Sequence, residues 1–290
     1  MSGLQRGRGA WTWVKETGFT AAMVASVALG LVTLVVLITQ VVVEGSPRLN
    51  SDLLGHFPSS LPARAGAQSA IWGTIWVISL VAVMTIPVGV AAAVYLEEYA
   101  KKDRWYNRLI EVNIQNLAAV PSIVYGILGL AFLVRGAADL GQTVLAAALT
   151  LSLLVLPVVV IASREAIRAV PGSIRLGSLA LGATQWQTIR RNILPASVPG
   201  IATGTILALS RAIGEAAPLL LLGALTFITF NPDGLDSAFT VLPIQIFNWI
   251  SRPQDEFRVL AAAAIVVLLA ILLAMNSLAI WLRNRYQRPW

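Results

Sequence analysis

The sequence lacks cysteine altogether and contains one histidine, His56, among its 290 residues. Without cysteine the chain can form neither a disulfide framework nor a thiolate metal site, and a lone histidine in a predicted loop is most simply solvated. Paired catalytic carboxylates and the G-x-x-x-x-G-K-[ST] phosphate loop are missing as well. We therefore predict no catalytic residue and no metal ligand, and we do not expect this chain to hydrolyse ATP by itself.

Charged residues are also scarce, at 12% of the chain, whereas hydrophobic residues make up 57%. The apolar residues form runs long enough to cross a hydrocarbon core of roughly 30 Å, which takes about 20 helical residues. The runs are continuous rather than alternating, which favours helices over barrel strands. We predict an all-α, polytopic membrane helix bundle with six transmembrane helices. The predicted spans are residues 18–43, 68–95, 108–134, 142–163, 200–227 and 259–282.

Basic residues are distributed unevenly between the two sides that these spans define. The formal net charge is +7, and 15 of the 21 lysines and arginines fall on the side that holds both chain ends. The positive-inside bias therefore predicts cytoplasmic termini in a multi-pass membrane protein surrounded by lipid. The first run exceeds a signal-peptide core and should remain uncleaved. The basicity indicates topology and does not favour a nucleic-acid partner.

The chain reads as a single membrane domain, residues 18–290, after a short cytoplasmic segment, residues 1–17. Of the outer connections, 228–258 contains "AFTVLPIQIFNWI", which is too short to span and is predicted to be a lid or interfacial segment. Prolines interrupt four spans and free backbone carbonyls there, which suits either a gated bundle or an ordinary kinked one. These prolines are Pro87, Pro121, Pro157 and Pro218.

The cytoplasmic connection, residues 164–199, predicts a helix-turn-helix below the membrane. "SIRLGSLAL" should form one short helix, Gly182 the turn, and "ATQWQTIRRNI" a second short helix that stops before Pro195. Its apolar residues, Trp186 among them, exceed what a solvated loop needs. Either a partner protein or the inner ends of the spans must cover them.

Two charged residues, Arg211 and Glu215, lie near the middle of the predicted fifth span. Their spacing of four places them on one helical face. Each costs roughly 2.5–3.5 kcal/mol at the bilayer centre, so they should face a polar interior. Beside them, small residues recur at every fourth position and would let another helix approach closely. This stripe comprises Gly200, Gly204, Ala208, Ala212 and Ala216.

Two interpretations of the charged pair remain open. It is either a static ion pair that locks the helix, or part of an anion path in which Arg211 binds an oxyanion and Glu215 keeps the arginine in place. Other polar residues at membrane depth could line the same path or hydrogen-bond between helices. They are Asn113, Gln115, Asn116, Ser122 and Tyr125.

Three classes of function fit these features: the pore subunit of a transporter powered by a separate ATPase, a self-sufficient secondary transporter or channel, and a membrane enzyme or assembly factor. Only the first class needs a cytoplasmic knob that receives an ATPase. The helix-turn-helix therefore favours that class.

Several blocks resemble a known family. "SLALGATQWQTIRRNILP" is similar to the cytoplasmic loop of ABC importer permeases, with a glycine thirteen residues before the proline of a terminal Leu-Pro. "IPVGVAAAVYLEEYA", "AAVPSIVYGILGLAF" and "LSRAIGEAAPLL" resemble, in order, blocks of the PstA-type permease of the bacterial phosphate importer. Where that loop usually has Glu-Ala-Ala, this chain has Leu176, Gly177 and Ser178, and Asn192 replaces an apolar residue.

The resemblance implies a type I ABC importer permease that moves inorganic phosphate inward by alternating access. It also implies a PstC-type second permease, a dimer of ATP-binding subunits that hold ATP and Mg, and a periplasmic phosphate-binding protein. Arg211 and Glu215 would belong to the phosphate path; sulfate, molybdate or another oxyanion is the alternative substrate. The implied ATPase-coupling residues are Ala180, Leu181, Gly182, Ala183, Thr184 and Trp186.

Overall fold

The computed structural model describes residues 10–101, 103–136, 138–224 and 227–286. Within these ranges the chain is almost entirely helical, and the one pairing of extended backbone is an isolated bridge between Thr143 and Ala238. The predicted all-α bundle is confirmed. The helices are α1 (Ala10–Gly45), α2 (Ser51–Gly55), α3 (Gln68–Val94), α4 (Trp105–Ala119), α5 (Ser122–Leu128), α6 (Val144–Arg168), α7 (Gly172–Ala180), α8 (Gln185–Thr188), α9 (Leu194–Ile213), α10 (Ala217–Leu221), α11 (Leu242–Ile250) and α12 (Asp255–Tyr286).

Five helical segments of the described chain are long and apolar enough to cross a membrane. They contain α1, α3, α6, α9 and α12. A sixth crossing exists if α4 and α5, which are bent by 102° relative to each other, are counted as one broken span. The predicted third span is therefore not one straight helix. Val120 precedes a proline and adopts an extended conformation with ψ 132°, as the steric bulk of Pro121 requires.

The fifth span differs most from its prediction. Its helix begins at Gln185 and continues to Ile213, so the predicted stop before Pro195 and the predicted range 200–227 are both wrong. The π-helical turn Ile189–Ile193 lies just before Pro195, and its altered backbone hydrogen bonding lets the helix continue past a residue that has no N–H to donate.

The same span ends earlier than hydropathy suggests because of Pro218. A proline ring clashes with the carbonyl four residues before it, here that of Gly214, and cannot donate a hydrogen bond to it. Gly214 is accordingly the residue at which α9 stops, and Pro218 lies in the first turn of the separate helix α10. Pro87 and Pro157, by contrast, remain inside continuous helices.

Helix α6 lies at the centre of the bundle, packed between α3 and α9. A methyl group added at Gly204 would overlap the side chain of Ala162, and one at Gly200 would overlap Ala166, so α9 approaches α6 as closely as two helices can. Ala208 and Ala212, further along the same stripe, are buried. The close helix contact predicted from the small residues is confirmed for Gly200 to Ala212, whereas Ala216 lies beyond the end of α9, just before α10.

The two ends of the bundle differ. One end carries α7, α8 and the π-helical turn that follows, residues 172–193, which we call the helical hairpin. At the opposite end, α11 packs on α12 with Leu242, Ile244 and Trp249 fully buried. The segment predicted as a lid or interfacial piece thus contributes its inner side chains to the core, whereas Phe247 and Ile250 on its outer face remain about half exposed.

Candidate substrate path and helical hairpin

Arg211 and Glu215 lie where the fifth span ends, not in the middle of one helix. Arg211 is in the last turn of α9, whereas Glu215 follows Gly214 outside the helix. A cation is favoured at this position because the C-terminal carbonyls of a helix carry partial negative charge. The structure therefore keeps the two residues together but places them at a break in the chain.

The pair is loose. The distance from Arg211 Nε to Glu215 Oε2 is 3.9 Å, which is beyond hydrogen-bonding range. The Arg211 side chain is 54% exposed, and that of Glu215 is 18% exposed. A static lock would require a short, aligned contact, so this geometry leaves most of the guanidinium donors free for another acceptor.

A polar contact beside the pair was not predicted from the sequence. Ser210 Oγ lies 2.7 Å from Asn276 Oδ1, which ties the last turn of α9 to α12. Asn276 is a polar residue inside the apolar run of the sixth span. A polar residue within an apolar run is also the sequence signal that identified Arg211. The contact fixes the end of α9 next to Arg211.

Of the candidate path-lining residues, Tyr125 is brought to α9 in the structure. Its ring is buried in a cluster with Ala208, Ala212 and Ile213. Its hydroxyl donates to the carbonyl of Leu117 at 2.9 Å, across the bend between α4 and α5. Tyr125 therefore supports the bend as well as the end of α9.

The remaining candidates are less closely associated with that end. Ser122 is half-buried at the start of α5. Asn113, Gln115 and Asn116 are exposed on α4, which packs mainly on α6. Asn113 Nδ2 donates to the carbonyl of Leu109 within the same helix at 2.8 Å. These three amides are not gathered around Arg211 in this structure.

The turn of the helical hairpin is formed by Gly182, whose φ is +82°. Nothing lies within 4 Å of a methyl group added there, so glycine is favoured by backbone conformation and not by crowding. Thr184 and Gln187 then form a capping box that starts α8, with the Thr184 N–H donating to Gln187 Oε1 at 2.9 Å. The predicted first short helix and the glycine turn are confirmed, whereas the second helix does not stop before Pro195 but continues into the fifth span.

The apolar residues of the hairpin fall into two groups. Ile189 and Ile193 are fully buried against the ends of the spans, in a cluster with Ala93 and Ile167. A second group is exposed, and we call it the apolar face of the hairpin. It comprises Leu176, Leu179, Leu181 and Trp186, with exposed fractions of 70%, 47%, 90% and 54%. The chain itself covers only the first group, so the second is available to a partner.

The other predicted coupling residues surround the same turn. Ala180 and Thr184 are exposed and Ala183 is partly buried.

Ser178 and Asn192, which both depart from the usual loop motif, lie close together inside the hairpin. Ser178 Oγ lies 2.9 Å from Thr188 Oγ1, and Asn192 Nδ2 donates to Ser178 Oγ at 3.1 Å. Ser178 and Asn192 thus satisfy each other's hydrogen-bonding groups, and this contact holds α7 against the helix that follows.

Carboxylates and arginines at the hairpin end form a cluster that the sequence did not predict. Its members are Glu97, Glu98, Glu111, Arg164, Arg168 and Arg175, and their closest N···O distances are 2.7–2.8 Å. We call it the ion-pair cluster. The adjacent glutamates in "LEEYA", at the end of a span, were the available signal. No group of three or more histidine, aspartate or glutamate residues suited to a metal ion occurs in the described ranges.

Comparisons with known proteins identify the family to which this fold belongs. The family model described as "Binding-protein-dependent transport system inner membrane component" matches residues 85–288. The probable ABC transporter permease protein YqgI of Bacillus subtilis is 30% identical, with 91% of this chain and 92% of that protein covered. The phosphate transport system permease protein PstA 1 of Mycobacterium tuberculosis is 32% identical, covering 93% and 89%.

A solved structure shares the fold. A chain of a bacterial alginate ABC transporter, in complex with an alginate pentasaccharide-bound periplasmic protein, aligns with a TM-score of 0.69. The alignment covers 95% of this chain and 97% of that one at 17% identity. With the family match over most of its length, the chain belongs to the inner membrane components of binding-protein-dependent transport systems.

Proposed function

We propose that this chain is a permease subunit of an ATP-driven importer that moves inorganic phosphate into the cytoplasm by alternating access. The observation that carries the proposal is Arg211, a permanent cation in a membrane-spanning bundle that is half exposed and only loosely paired. Such a guanidinium suits a tetrahedral oxyanion, which it can bind through two parallel hydrogen bonds. Glu215 keeps Arg211 oriented and limits how tightly the anion is held.

The path lies on a face of α9 that its own chain leaves open. Leu207 and Arg211 are four residues apart and therefore on one face, and both are exposed, Leu207 at 66%. A second, related permease facing this surface would enclose Arg211 in a path between the two subunits. Relatives whose names include phosphate transport, such as the Mycobacterium tuberculosis protein, support phosphate as the anion.

The apolar face of the hairpin supplies the connection to an ATPase. Leu181, the most exposed of its residues at 90%, lies next to the Gly182 turn at the tip of the hairpin. An apolar knob of this kind suits a groove on an ATP-binding subunit, which would hold ATP and Mg. The hairpin and both chain ends then face the cytoplasm, and a periplasmic phosphate-binding protein delivers the anion to the opposite end.

Two alternatives give different results in one experiment. Another oxyanion, with sulfate as the nearest rival, would use the same guanidinium, and a self-sufficient anion transporter would not need the hairpin. The experiment measures radiolabelled phosphate uptake in cells that lack their own importer and express this chain with a second permease, binding protein and ATPase. Uptake that depends on the ATPase and resists excess sulfate is expected. Uptake that survives loss of the ATPase, or that sulfate abolishes, would contradict the proposal.

A further inference from the structure

Helix α3 ends in a π-helical turn, Tyr95–Tyr99, that carries two adjacent glutamates. The side chains of Glu97 and Glu98 are only 6% and 8% exposed, although the turn lies at the end of the span. Both carboxylates are paired, but with arginines from different parts of the chain. Single π-helical turns are frequent at functional sites, which directs attention to this one.

Glu97 joins the ends of the spans to one another. Its Oε1 accepts hydrogen bonds from Arg164 Nε and Arg168 Nη2, both at 2.8 Å, and both arginines are on α6. Arg164 also donates through Nη2 to Glu111 Oε1 on α4 at 2.8 Å. Arg164, which is itself 9% exposed, therefore fastens α3 and α4 to α6.

Glu98 joins the same turn to the helical hairpin. Its Oε1 accepts from Arg175 Nε at 3.0 Å and from Arg175 Nη2 at 2.7 Å, and Arg175 belongs to α7. The Glu98 carbonyl also accepts a hydrogen bond from Gln185 Nε2 of α8. Both halves of the hairpin are thus attached to one residue at the end of α3.

Arg175 is hydrogen-bonded both to the Glu98 carboxylate and to the end of α6. Arg175 also donates to the carbonyls of Ile167 and Val170, at the end of α6 and just after it. Because its guanidinium is planar and its donors are fixed, Arg175 cannot swing without breaking several bonds at once. The Arg175 side chain is 27% exposed and that of Glu98 is 8% exposed, and an ion pair of this kind contributes little net stability compared with apolar residues. Its main effect is the geometry that it fixes.

We propose that Glu97 and Glu98 form a joint that transmits movement of the helical hairpin into the membrane helices. The force enters through Arg175 and Glu98 and leaves through Glu97 and Arg164, so that α3, α4 and α6 move with the hairpin as one body. These are positioning residues for ATP-driven transport. The inference rests on the proposed function only in requiring that an ATPase docks on the hairpin.

The test measures a movement that does not depend on which anion is transported. Because this chain contains no cysteine, Lys101→Cys and Asn284→Cys place two spin labels at exposed positions, just after α3 and near the end of α12. The complete complex is assembled with cysteine-free partner subunits, and the label separation is measured with and without ATP. ATP should shift the separation in the otherwise unchanged complex.

Neutral variants should remove that shift while the ATPase stays bound. In Glu98→Gln and in Arg175→Gln the ATP-induced change should fall at least about fivefold, as expected when two sites lose their energetic coupling. Arg175→Lys, which retains the charge, should recover part of it. Arg104→Gln is the matched control, because Arg104 is exposed near the same end and has no ion pair among the described residues.

The outcomes separate this inference from the proposed function. An unchanged shift in both neutral variants would overturn the joint, and failure of those variants to bind the ATPase would assign the residues to assembly instead. Phosphate uptake is measured on the same preparation. A normal ATP-induced shift without phosphate uptake would contradict the proposed substrate and leave the joint standing.

Discussion

The chain holds its charges in two contrasting ways at two places. Arg211 and Glu215 are 3.9 Å apart with the arginine half exposed, whereas Arg164 is 2.8 Å from Glu97 with both side chains more than nine-tenths buried. The loose pair leaves guanidinium N–H donors of Arg211 free, and the tight pair uses those of Arg164. Arg211 therefore retains hydrogen-bond donors for a ligand, whereas the donors of Arg164 are already used within the protein.

The largest expected effect on stability comes from removing a buried cation. Arg164→Met would leave Glu111 without its partner and Glu97 with only Arg168. Removing one member of a buried ion pair typically costs about 3–5 kcal/mol, and the remaining arginine should keep the loss near the low end. The measurement is the thermal unfolding midpoint of the purified protein in detergent.

Arg168→Met provides the comparison on the same helix. Its side chain is 48% exposed, so its ion pair is screened by solvent and its loss should cost less than about 1 kcal/mol. Equal destabilisation by the two substitutions would mean that burial does not distinguish these arginines, and the contrast between tight and loose pairs would fail.

Arg211→Gln should have the opposite profile, with transport lost and stability kept. Because the ion pair is long and the side chain exposed, the unfolding midpoint should hardly change. A charge-assisted hydrogen bond to the anion is worth about 1.5–3 kcal/mol, so phosphate uptake should fall roughly 10- to 150-fold. Uptake and unfolding are measured on the same expressed variant.

Arg258→Gln is the matched control, because Arg258 is also exposed and locally paired, with Asp255 at 3.3 Å, but lies in the first turn of α12, 18 residues before the Asn276 that contacts Ser210. It should leave both uptake and stability near normal. Normal uptake in a well-expressed Arg211→Gln variant would remove Arg211 from the path and make the pair structural after all.

The next prediction concerns the turn of the helical hairpin at Gly182. Gly182→Ala forces a side chain into φ +82°, which costs about 1 kcal/mol or more. Gly177→Ala, inside α7 and with open space around it, should instead stabilise the hairpin by roughly 0.5–1 kcal/mol. Hydrogen exchange of the hairpin amides, residues 172–193, measures both. Identical exchange in the two variants would show that the turn conformation does not determine hairpin rigidity.

Features that depend on neighbours in sequence were predictable. Long apolar runs indicated the spans, and the small-residue stripe at Gly200 and Gly204 indicated the close contact with α6. Gly182 was recognised as the turn because a glycine that follows a short helical pattern readily adopts the left-handed conformation that ends a helix. In each case the responsible pattern lies within one continuous segment of the chain.

Features that depend on distant or backbone interactions were missed. Glu97 and Arg164 are 67 positions apart, so counting basic residues for topology concealed the ion-pair cluster. Pro218 was recognised as an interruption, but the span was still drawn as continuous over 200–227, because hydropathy does not register that Pro218 excludes the carbonyl of Gly214 from the helix. The break at Gly214 moves Arg211 from the middle of a predicted helix to the end of a real one.

The last prediction concerns the polar contact inside the hairpin. Ser178→Ala removes the oxygen that Thr188 and Asn192 share, and should cost about 1 kcal/mol, the net value of a typical hydrogen bond left partly unmade. If Ser178 and Asn192 compensate each other, Asn192→Leu together with Ser178→Ala should recover most of that loss. A double variant less stable than either single one, judged by hairpin hydrogen exchange, would show that the two departures arose for separate reasons.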